Sequence, residues 1–207
     1  MTREDLKLYL VTDRSLARGR EICDIVSEAV AGGVTMVQLR EKNISTRGFV
    51  QLGCRLKEIL RPSGVPLIIN DRVDVAVACD ADGVHIGQSD MPYAAARGIL
   101  GAEKIIGLSV ESFEQAIEAN DLDVDYIGVS PVFATPTKTD TASPFGLEGL
   151  RKIVSISRHP LVGIGGMNMN TAADVMACGV DGIAVVSAIV GSEDPRAAAS
   201  ALLGLIG

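Results

Sequence analysis

Short, nearly continuous apolar runs alternate along this chain with longer segments in which apolar residues recur at helical spacing. In residues 20–31, for example, Ile22, Ile25 and Ala29 fall on one face of a helix. The short runs are typical of parallel strands that are buried on both faces. They predict eight strands at residues 7–12, 36–39, 67–70, 83–86, 104–108, 126–129, 161–164 and 182–185. The amphipathic segments predict eight helices at residues 20–31, 46–60, 73–79, 93–100, 112–120, 147–155, 169–178 and 195–203.

Eight strand–helix units in 207 residues predict an α/β fold, a single (β/α)8 TIM barrel that forms one domain over residues 1–207. Several joins from helix to strand pass directly through a glycine, as at residues 31–34. An open, doubly wound sheet is the alternative. That fold would more often carry a Gly-x-Gly-x-x-Gly loop after the first strand, and residues 13–16 do not match it. The regular repetition therefore favours the closed barrel.

Composition narrows the candidate functions. A formal net charge of −7 and a pI near 4.9 argue against nucleic acid or an anionic membrane as the main partner. Charges interrupt the apolar stretches before spanning length, and the first residues lack the apolar core of a signal peptide, so we expect a cytoplasmic protein. The cysteines are widely spaced among apolar residues, so we expect small buried side chains and neither disulfides nor a zinc site: Cys23, Cys54, Cys79 and Cys178.

Polar residues follow the second predicted strand, and in such barrels the chemistry lies at the C-terminal strand ends. Alternation places Gln38 and Arg40 toward the lumen and Leu39 on the opposite side. An inward amide and guanidinium need partners, and Arg40 together with Lys42 suits phosphate binding. The alternative is a structural ion pair of Arg40 with Glu41 or with an inward aspartate. Phosphate binding is the favoured interpretation.

Carboxylates follow the third and fourth predicted strands. Asn70 and Asp71 close one strand, and Asp90 lies just beyond the next. Magnesium commonly binds to one or two carboxylates, together with water and substrate phosphate. Each aspartate could instead cap the following helix, and Pro92 could begin a helix. The occurrence of two carboxylates at neighbouring strand ends favours a Mg²⁺ site.

The later strand ends carry hydroxyls and glycines. Ser109 ends the fifth predicted strand and, taken alone, is better explained as a helix cap than as a ligand contact. The long connection 130–145 includes residues 135–141, where threonines alternate with a lysine in a pattern that suits either oxyanion binding or a solvated loop. Residues 165–166 and 186–187 end the last two strands, where backbone N–H groups often hold phosphate in such barrels.

These residues together resemble the thiamine-phosphate synthase family, which joins the pyrimidine and thiazole halves of vitamin B1. The resemblance covers nearly the whole chain, and the order and spacing of its motifs are specific as a set. The motifs are Val37-Gln38-Leu39-Arg40-Glu41-Lys42, Ile69-Asn70-Asp71-Arg72, Gly83-Val84-His85-Ile86-Gly87-Gln88-Ser89-Asp90, Thr135-x-Thr137-Lys138, Gly163-Ile164-Gly165-Gly166 and Val186-Ser187-Ala188-Ile189.

The resemblance implies that hydroxymethylpyrimidine diphosphate and a thiazole phosphate react to give thiamine monophosphate and pyrophosphate by a Mg²⁺-assisted dissociative substitution. It implies a pyrimidine diphosphate site formed by Gln38, Leu39, Arg40, Glu41, Lys42, Asn70, Ser109 and Lys138. Four of these would have catalytic roles: Arg40, Lys42, Ser109 and Lys138. Asp71 and Asp90 would hold Mg²⁺. The thiazole phosphate would be held by Thr135, Pro136, Thr137, Gly166, Val186 and Ser187. Barrels of this kind often form homodimers, but the sequence leaves the oligomeric state open.

Other functions compete with this interpretation. A thiazole tautomerase would keep a phosphate anchor without needing both the cations and the paired carboxylates. A non-catalytic, phosphate-sensing barrel would bind thiazole phosphate without forming product. A phosphosugar isomerase or epimerase could use Asp71 and Asp90 as an acid/base pair, but the threonine-lysine loop would then be unexplained. His85 is interpreted as a hydrogen-bonded core histidine and His159 as a turn residue, so neither is expected to be catalytic.

Overall fold

The computed structural model describes residues 1–134 and 143–207, and within them eight parallel strands close into a barrel in chain order. The strands are β1 (Leu8–Val11), β2 (Met36–Leu39), β3 (Leu67–Asn70), β4 (Gly83–Ile86), β5 (Ile105–Val110), β6 (Tyr126–Val129), β7 (Leu161–Ile164) and β8 (Gly182–Val185). Pairing of β1 with β8, with Tyr9 opposite Ala184, closes the sheet. The predicted (β/α)8 TIM barrel is therefore confirmed.

Helices follow the strands and cover the outside of the barrel. They are α1 (Ile22–Ala31), α2 (Thr46–Leu60), α3 (Val73–Ala78), α4 (Tyr93–Leu100), α5 (Phe113–Ala119), α6 (Gly146–Ile156), α7 (Ala172–Met176), α8 (Ser187–Val190) and α9 (Pro195–Ile206). Short 3-10 helices lie at Arg3–Leu6, Arg14–Leu16 and Arg61–Ser63. In the part of the chain that the structure describes, none of the helices is long and apolar enough to cross a membrane.

The predicted element bounds differ from the structure in three informative places. Strand β5 continues to Val110, so Ser109 lies inside the strand and does not cap a helix; the cap of α5 is Ser112. Helix α7 begins later than predicted because the Thr171 hydroxyl bonds the backbone of Asn168 and holds this segment in a turn. The short helix α8 was not predicted, since four residues carry too little periodicity to be recognised.

The core has two layers. The lumen of the barrel is filled by a small cluster: Leu6, Tyr9, Val11, Met36, Ile68, Ile105, Tyr126, Val162 and Ala184. A larger apolar layer lies between the strands and the helices. All four cysteines are free, and Cys23, Cys79 and Cys178 are buried as predicted. The prediction was wrong for Cys54, which lies exposed on α2, because that helix turns Leu52 and Leu56 toward the barrel instead.

A repeated side-chain contact joins neighbouring strands at the N-terminal end of the barrel. The residue immediately before each even-numbered strand accepts a hydrogen bond from a backbone N–H at or near the start of the preceding strand. The pairs are Thr35 with Leu8 (2.9 Å), Asp82 with Leu67 (2.8 Å), Asp125 with Ile106 (2.8 Å) and Asp181 with Leu161 (2.7 Å). Each contact satisfies a strand N–H that lies beyond the regular ladder. The three carboxylates also pair with cations: Lys57, Arg97 and Arg3.

We expect Asp181→Ala to lower the free energy of unfolding by about 1–3 kcal/mol, because it leaves the Leu161 N–H without its acceptor and removes the partner of Arg3. Chemical denaturation measures the change. Glu58→Ala is the control, since Glu58 pairs with Arg61 on an exposed helical surface, and we expect a change below about 0.5 kcal/mol. Equal losses in the two variants would contradict a special role for the strand-end contact.

Candidate active site

The strand ends that the sequence singled out surround one cavity at the C-terminal end of the barrel, with a volume of about 520 Å³. Ten of the predicted site residues line it: Gln38, Arg40, Lys42, Asn70, Asp71, Asp90, Ser109, Gly166, Val186 and Ser187. Two others, Leu39 and Glu41, are not among the lining residues. The remaining four lie outside the described residues: Thr135, Pro136, Thr137 and Lys138.

The two cations that follow β2 each pair with a carboxylate. Arg40 Nη1 donates to Asp13 Oδ2 at 3.1 Å, so Arg40 has an aspartate partner, but Asp13 is not among the residues that line the cavity. Lys42 Nζ donates to Asp71 Oδ2 at 2.8 Å, and its side chain is 53% exposed. Because a guanidinium has five N–H donors and the ammonium has three, both groups keep donors for an anionic ligand. Ion pairing and ligand binding are therefore compatible here.

Leu39 and Glu41 point away from the cavity, as strand alternation requires. Leu39 is fully buried between the barrel and the helices. The Glu41 carboxylate is 3% exposed and accepts hydrogen bonds from both Arg14 Nε and Arg14 Nη2. Together with the Asp13–Arg40 pair, this contact ties the segment after β1 to the segment after β2. The side chain of Glu41 thus supports the cavity wall from behind.

Asp71 and Asp90 do not cap helices. Helix α3 begins at Val73 and α4 at Tyr93, and neither has a side-chain cap. The Asp90 Oδ2 atom accepts the Gly87 N–H at 2.7 Å and so closes the turn that follows β4. Asp71 has a φ of +61°, a left-handed conformation that Asp tolerates better than most residues. The turn closed by Asp90 and the left-handed backbone at Asp71 thus place both carboxylates at the rim of the cavity.

These two carboxylates interact electrostatically. Burial raises the pKa of Asp90, and the neighbouring Asp71 carboxylate raises this pKa further, while the hydrogen bond from the Gly87 N–H opposes both effects. A divalent cation between two such carboxylates would offset their repulsion, and the oxygen donors suit Mg²⁺. Among the residues that the structure describes, there is no cluster of three or more His, Cys, Asp or Glu that could enclose a metal ion. Mg²⁺ here would therefore need water and substrate oxygens.

A chain of hydrogen bonds runs along the inner end of the cavity. Gln38 Nε2 donates to the Tyr9 hydroxyl at 2.8 Å, and the Tyr9 and Tyr126 hydroxyls share a hydrogen bond of 2.8 Å. The Tyr126 hydroxyl lies 3.0 Å from His85 Nδ1, and His85 Nε2 lies 2.9 Å from Ser109 Oγ. Burial raises the pKa of both tyrosines, which keeps them neutral. His85 is thus a hydrogen-bonded histidine as predicted, but it lines the cavity.

Glycine makes this arrangement possible. A Cβ at Gly107 would overlap the Tyr126 ring, so only a glycine on β5 lets that ring lie across the lumen. At the end of β7, Gly165 and Gly166 have φ of +99° and +73°, and a Cβ on Gly166 would lie 2.8 Å from the Cβ of Phe133. These two glycines expose backbone next to Ser187, which starts helix α8.

Several cavity residues were missed at the sequence level: Tyr9, Gln88, Glu111, Tyr126 and Ser130. Alternation within β1 and β6 could have placed Tyr9 and Tyr126 in the lumen, because both lie on the same faces as other lining residues. Gln88 donates to the Ser109 carbonyl at 2.6 Å, a contact between neighbouring strand ends that no local pattern specifies.

Comparison with known proteins agrees with this geometry. A family model described as thiamine monophosphate synthase matches residues 8–189. The thiamine-phosphate synthase of Albidiferax ferrireducens is 55% identical over 97% of this chain and 92% of its own length, and that of Chloroflexus aurantiacus is 51% identical over 98% and 93%. The solved structure of thiamine phosphate pyrophosphorylase from Pyrococcus furiosus is 44% identical over 99% of this chain and 96% of its own, with a TM-score of 0.91.

A more distant structure shares the fold alone: 3-hexulose-6-phosphate synthase, at 19% identity and a TM-score of 0.70, with coverage of 98% of this chain and 100% of its own. The family model and the two relatives extend over nearly the whole chain and agree with each other. The chain therefore belongs to the thiamine monophosphate synthase family.

Proposed function

We propose that residues 1–207 form one catalytic domain that condenses hydroxymethylpyrimidine diphosphate with hydroxyethylthiazole phosphate, giving thiamine monophosphate and pyrophosphate. The observation that carries this proposal is that one cavity brings two cations, two carboxylates and a glycine-lined strand end together. Membership of the family supports the same reaction. The cytoplasmic location and a homodimer stay predictions.

The pyrimidine diphosphate would lie at the β2–β5 side of the cavity. Arg40 and Lys42 would neutralise its phosphates, while Asn70 and Ser109 supply neutral hydrogen-bonding groups beside them. Gln38 would contact the ligand or hold Tyr9 behind it. Leu39 and Glu41 belong to the proposed site only as parts of the segment that carries Arg40 and Lys42, because neither residue lines the cavity. Lys138 is assigned to the same diphosphate on the sequence motif alone.

Mg²⁺ would be held by Asp71 and Asp90, and when bound it would supply positive charge for the diphosphate oxygens. The proximity of these two carboxylates and the raised pKa of Asp90 fit a cation at this position. Lys42 donates a hydrogen bond to Asp71, so its ammonium can orient this carboxylate toward the diphosphate that both groups would contact.

The thiazole phosphate would lie at the β7–β8 side. Gly166, Val186 and Ser187 line the cavity there, and the left-handed backbone at Gly166 allows close approach of a phosphate to N–H groups. Thr135, Pro136 and Thr137 are assigned to this phosphate from the sequence motif.

In the proposed reaction, the bond between the pyrimidine methylene carbon and the diphosphate oxygen breaks, and pyrophosphate leaves with the electron pair. The electron-rich aminopyrimidine ring delocalises the resulting positive charge, and the thiazole nitrogen then forms the new C–N bond with its lone pair. Arg40, Lys42 and Lys138 stabilise the charge that grows on the leaving group. The two phosphate sites hold the nucleophile and the carbon in line. No side-chain nucleophile takes part.

The test is an assay of thiamine monophosphate and pyrophosphate together, with both substrates present, in Mg²⁺ and then in EDTA. Equimolar products that depend on Mg²⁺ are the expected result. A folded protein that binds thiazole phosphate and forms no product would favour a sensor. Isomerisation of the thiazole phosphate alone would favour a tautomerase, although the joint presence of Arg40, Lys42, Asp71 and Asp90 in one cavity is not needed for that reaction.

We expect Asp71→Asn to lower turnover at least about 100-fold, because it removes one of two proposed Mg²⁺ ligands and the partner of Lys42. Steady-state kinetics over a range of Mg²⁺ concentrations measure the effect. Asp80→Asn is a matched control, since Asp80 also has a left-handed φ (+49°) and pairs with a lysine, Lys104, outside the cavity. Turnover by Asp71→Asn within about twofold of the control would remove Asp71 from the proposed site.

We expect Gly166→Ala to raise the KM for thiazole phosphate by about tenfold or more and to leave the KM for the pyrimidine diphosphate within about twofold. The added Cβ is strained at a φ of +73° and meets Phe133, so the backbone that is proposed to hold the phosphate must shift. Gly64→Ala is the control, because Gly64 has a φ of +67° with nothing near its Cβ position. Unchanged KM values in Gly166→Ala would argue against a phosphate at this strand end.

A further inference from the structure

The hydrogen-bond chain at the inner end of the cavity has a direction, and the direction follows from counting protons. A tyrosine hydroxyl has one proton and two lone pairs. The Tyr9 and Tyr126 hydroxyls are buried, and each has only two hydrogen-bond partners among the described residues. Because a buried proton without an acceptor is costly, each hydroxyl donates to the neighbour that does not donate to it. Gln38 Nε2 is a donor only, and it lies 2.8 Å from the Tyr9 oxygen. Tyr9 must therefore donate to Tyr126 across the 2.8 Å contact between their hydroxyls.

The same count continues to the end of the chain. Tyr126 accepts from Tyr9 and donates to His85 Nδ1 at 3.0 Å, which requires a lone pair on that nitrogen. The imidazole proton is then on Nε2, which donates to Ser109 Oγ at 2.9 Å. Ser109 Oγ accepts this hydrogen bond from His85, so the hydroxyl proton of Ser109 can be donated to another group. Since Ser109 lines the cavity, that proton is available to a ligand.

The packing around the chain leaves it little freedom to rearrange. Tyr9 and Tyr126 are fully buried in the lumen, where their rings meet edge to face at a centroid distance of 5.9 Å. Gln38 is 4% exposed. Among the described residues, no buried side-chain nitrogen or oxygen lacks a hydrogen-bond partner. Reversing the chain would require the Gln38 amide to turn over and every proton in it to move.

We propose that this chain fixes His85 as the neutral Nε2–H tautomer and thereby makes the Ser109 hydroxyl a hydrogen-bond donor toward an anionic oxygen of the bound substrate. Tyr9 and Tyr126 are positioning residues that act through His85. Ser109 becomes a stronger donor because its oxygen is already hydrogen-bonded. The identification of that oxygen as part of the diphosphate rests on the proposed function; the tautomer and the direction of the chain do not.

The tautomer is tested by NMR of protein labelled with ¹⁵N-histidine, whose ring nitrogens report which of them carries the proton. The protein has two histidines, so in the His159→Gln variant the only histidine signals are those of His85. We expect a protonated Nε2 and an unprotonated Nδ1. A proton on Nδ1, or on both nitrogens, would overturn the proposal. This result does not depend on turnover, so an inactive enzyme would contradict the proposed function and leave the tautomer standing.

Tyr126→Phe tests what fixes the tautomer. Without the Tyr126 hydroxyl, Nδ1 loses its donor, and we expect the ¹⁵N signals of His85 to shift toward a mixture of tautomers. An unchanged single Nε2–H form would show that Tyr126 does not set it. Tyr93→Phe is the matched control, since the Tyr93 hydroxyl donates to the Asp123 carbonyl and the variant should keep the wild-type spectrum of His85.

A kinetic cycle tests the route through Ser109. We expect Tyr126→Phe to lower kcat by about tenfold, the factor for about one net hydrogen bond, with little change in KM. Ser109→Ala should lower kcat by at least as much. If Tyr126 acts through Ser109, adding Tyr126→Phe to Ser109→Ala costs little further. Effects that multiply in the double variant would overturn the positioning role, and Tyr93→Phe should leave kcat at the wild-type level.

Discussion

Closure of the sheet turns one face of every strand toward the lumen, and any polar side chain on that face must find its partner inside the protein. The barrel is built in layers along its axis. At the N-terminal end, Thr35 and the aspartates that precede β4, β6 and β8 are on the outward face by strand alternation and satisfy strand N–H groups there. In the middle, apolar side chains fill the lumen. Toward the C-terminal end, polar groups accumulate and the lumen opens into the cavity.

The polar chain from Gln38 to Ser109 marks the boundary between the filled lumen and the cavity. Its inner members, Tyr9 and Tyr126, belong to the apolar cluster by their rings and to the cavity by their hydroxyls. A tyrosine can serve both layers because its ring packs as a hydrophobe while its oxygen needs a partner. The rigidity of the packed lumen is thus transferred to the groups that line the cavity, which is the condition for a preorganised site.

Much of this could be predicted from sequence, and the exceptions share a cause. The strand positions follow from apolar runs, and Gln38 and Arg40 could be placed in the lumen from strand alternation alone. Local sequence alone favours a helix cap at Ser109, and only the family resemblance marks it as a site residue. Its partner His85 is 24 residues away and meets it only when β4 and β5 pair. The same holds for Gly107, whose lack of a side chain is explained only by the Tyr126 ring. Contacts between strands are set by closure, which a local pattern does not contain.

The closed order of the strands also places the two proposed anion sites on opposite sides of one cavity. In an eight-stranded barrel, strands four apart lie on opposite sides, so β3 and β4 face β7 and β8 across the lumen. Asp71 and Asp90 lie on one side, and Gly166 and Ser187 lie on the other. In the proposed reaction, the two substrates would be anchored by their phosphates at opposite rims, with their reacting atoms between. The binding free energy of both phosphates would then serve to align one carbon and one nitrogen, which is why a site without a side-chain nucleophile can suffice.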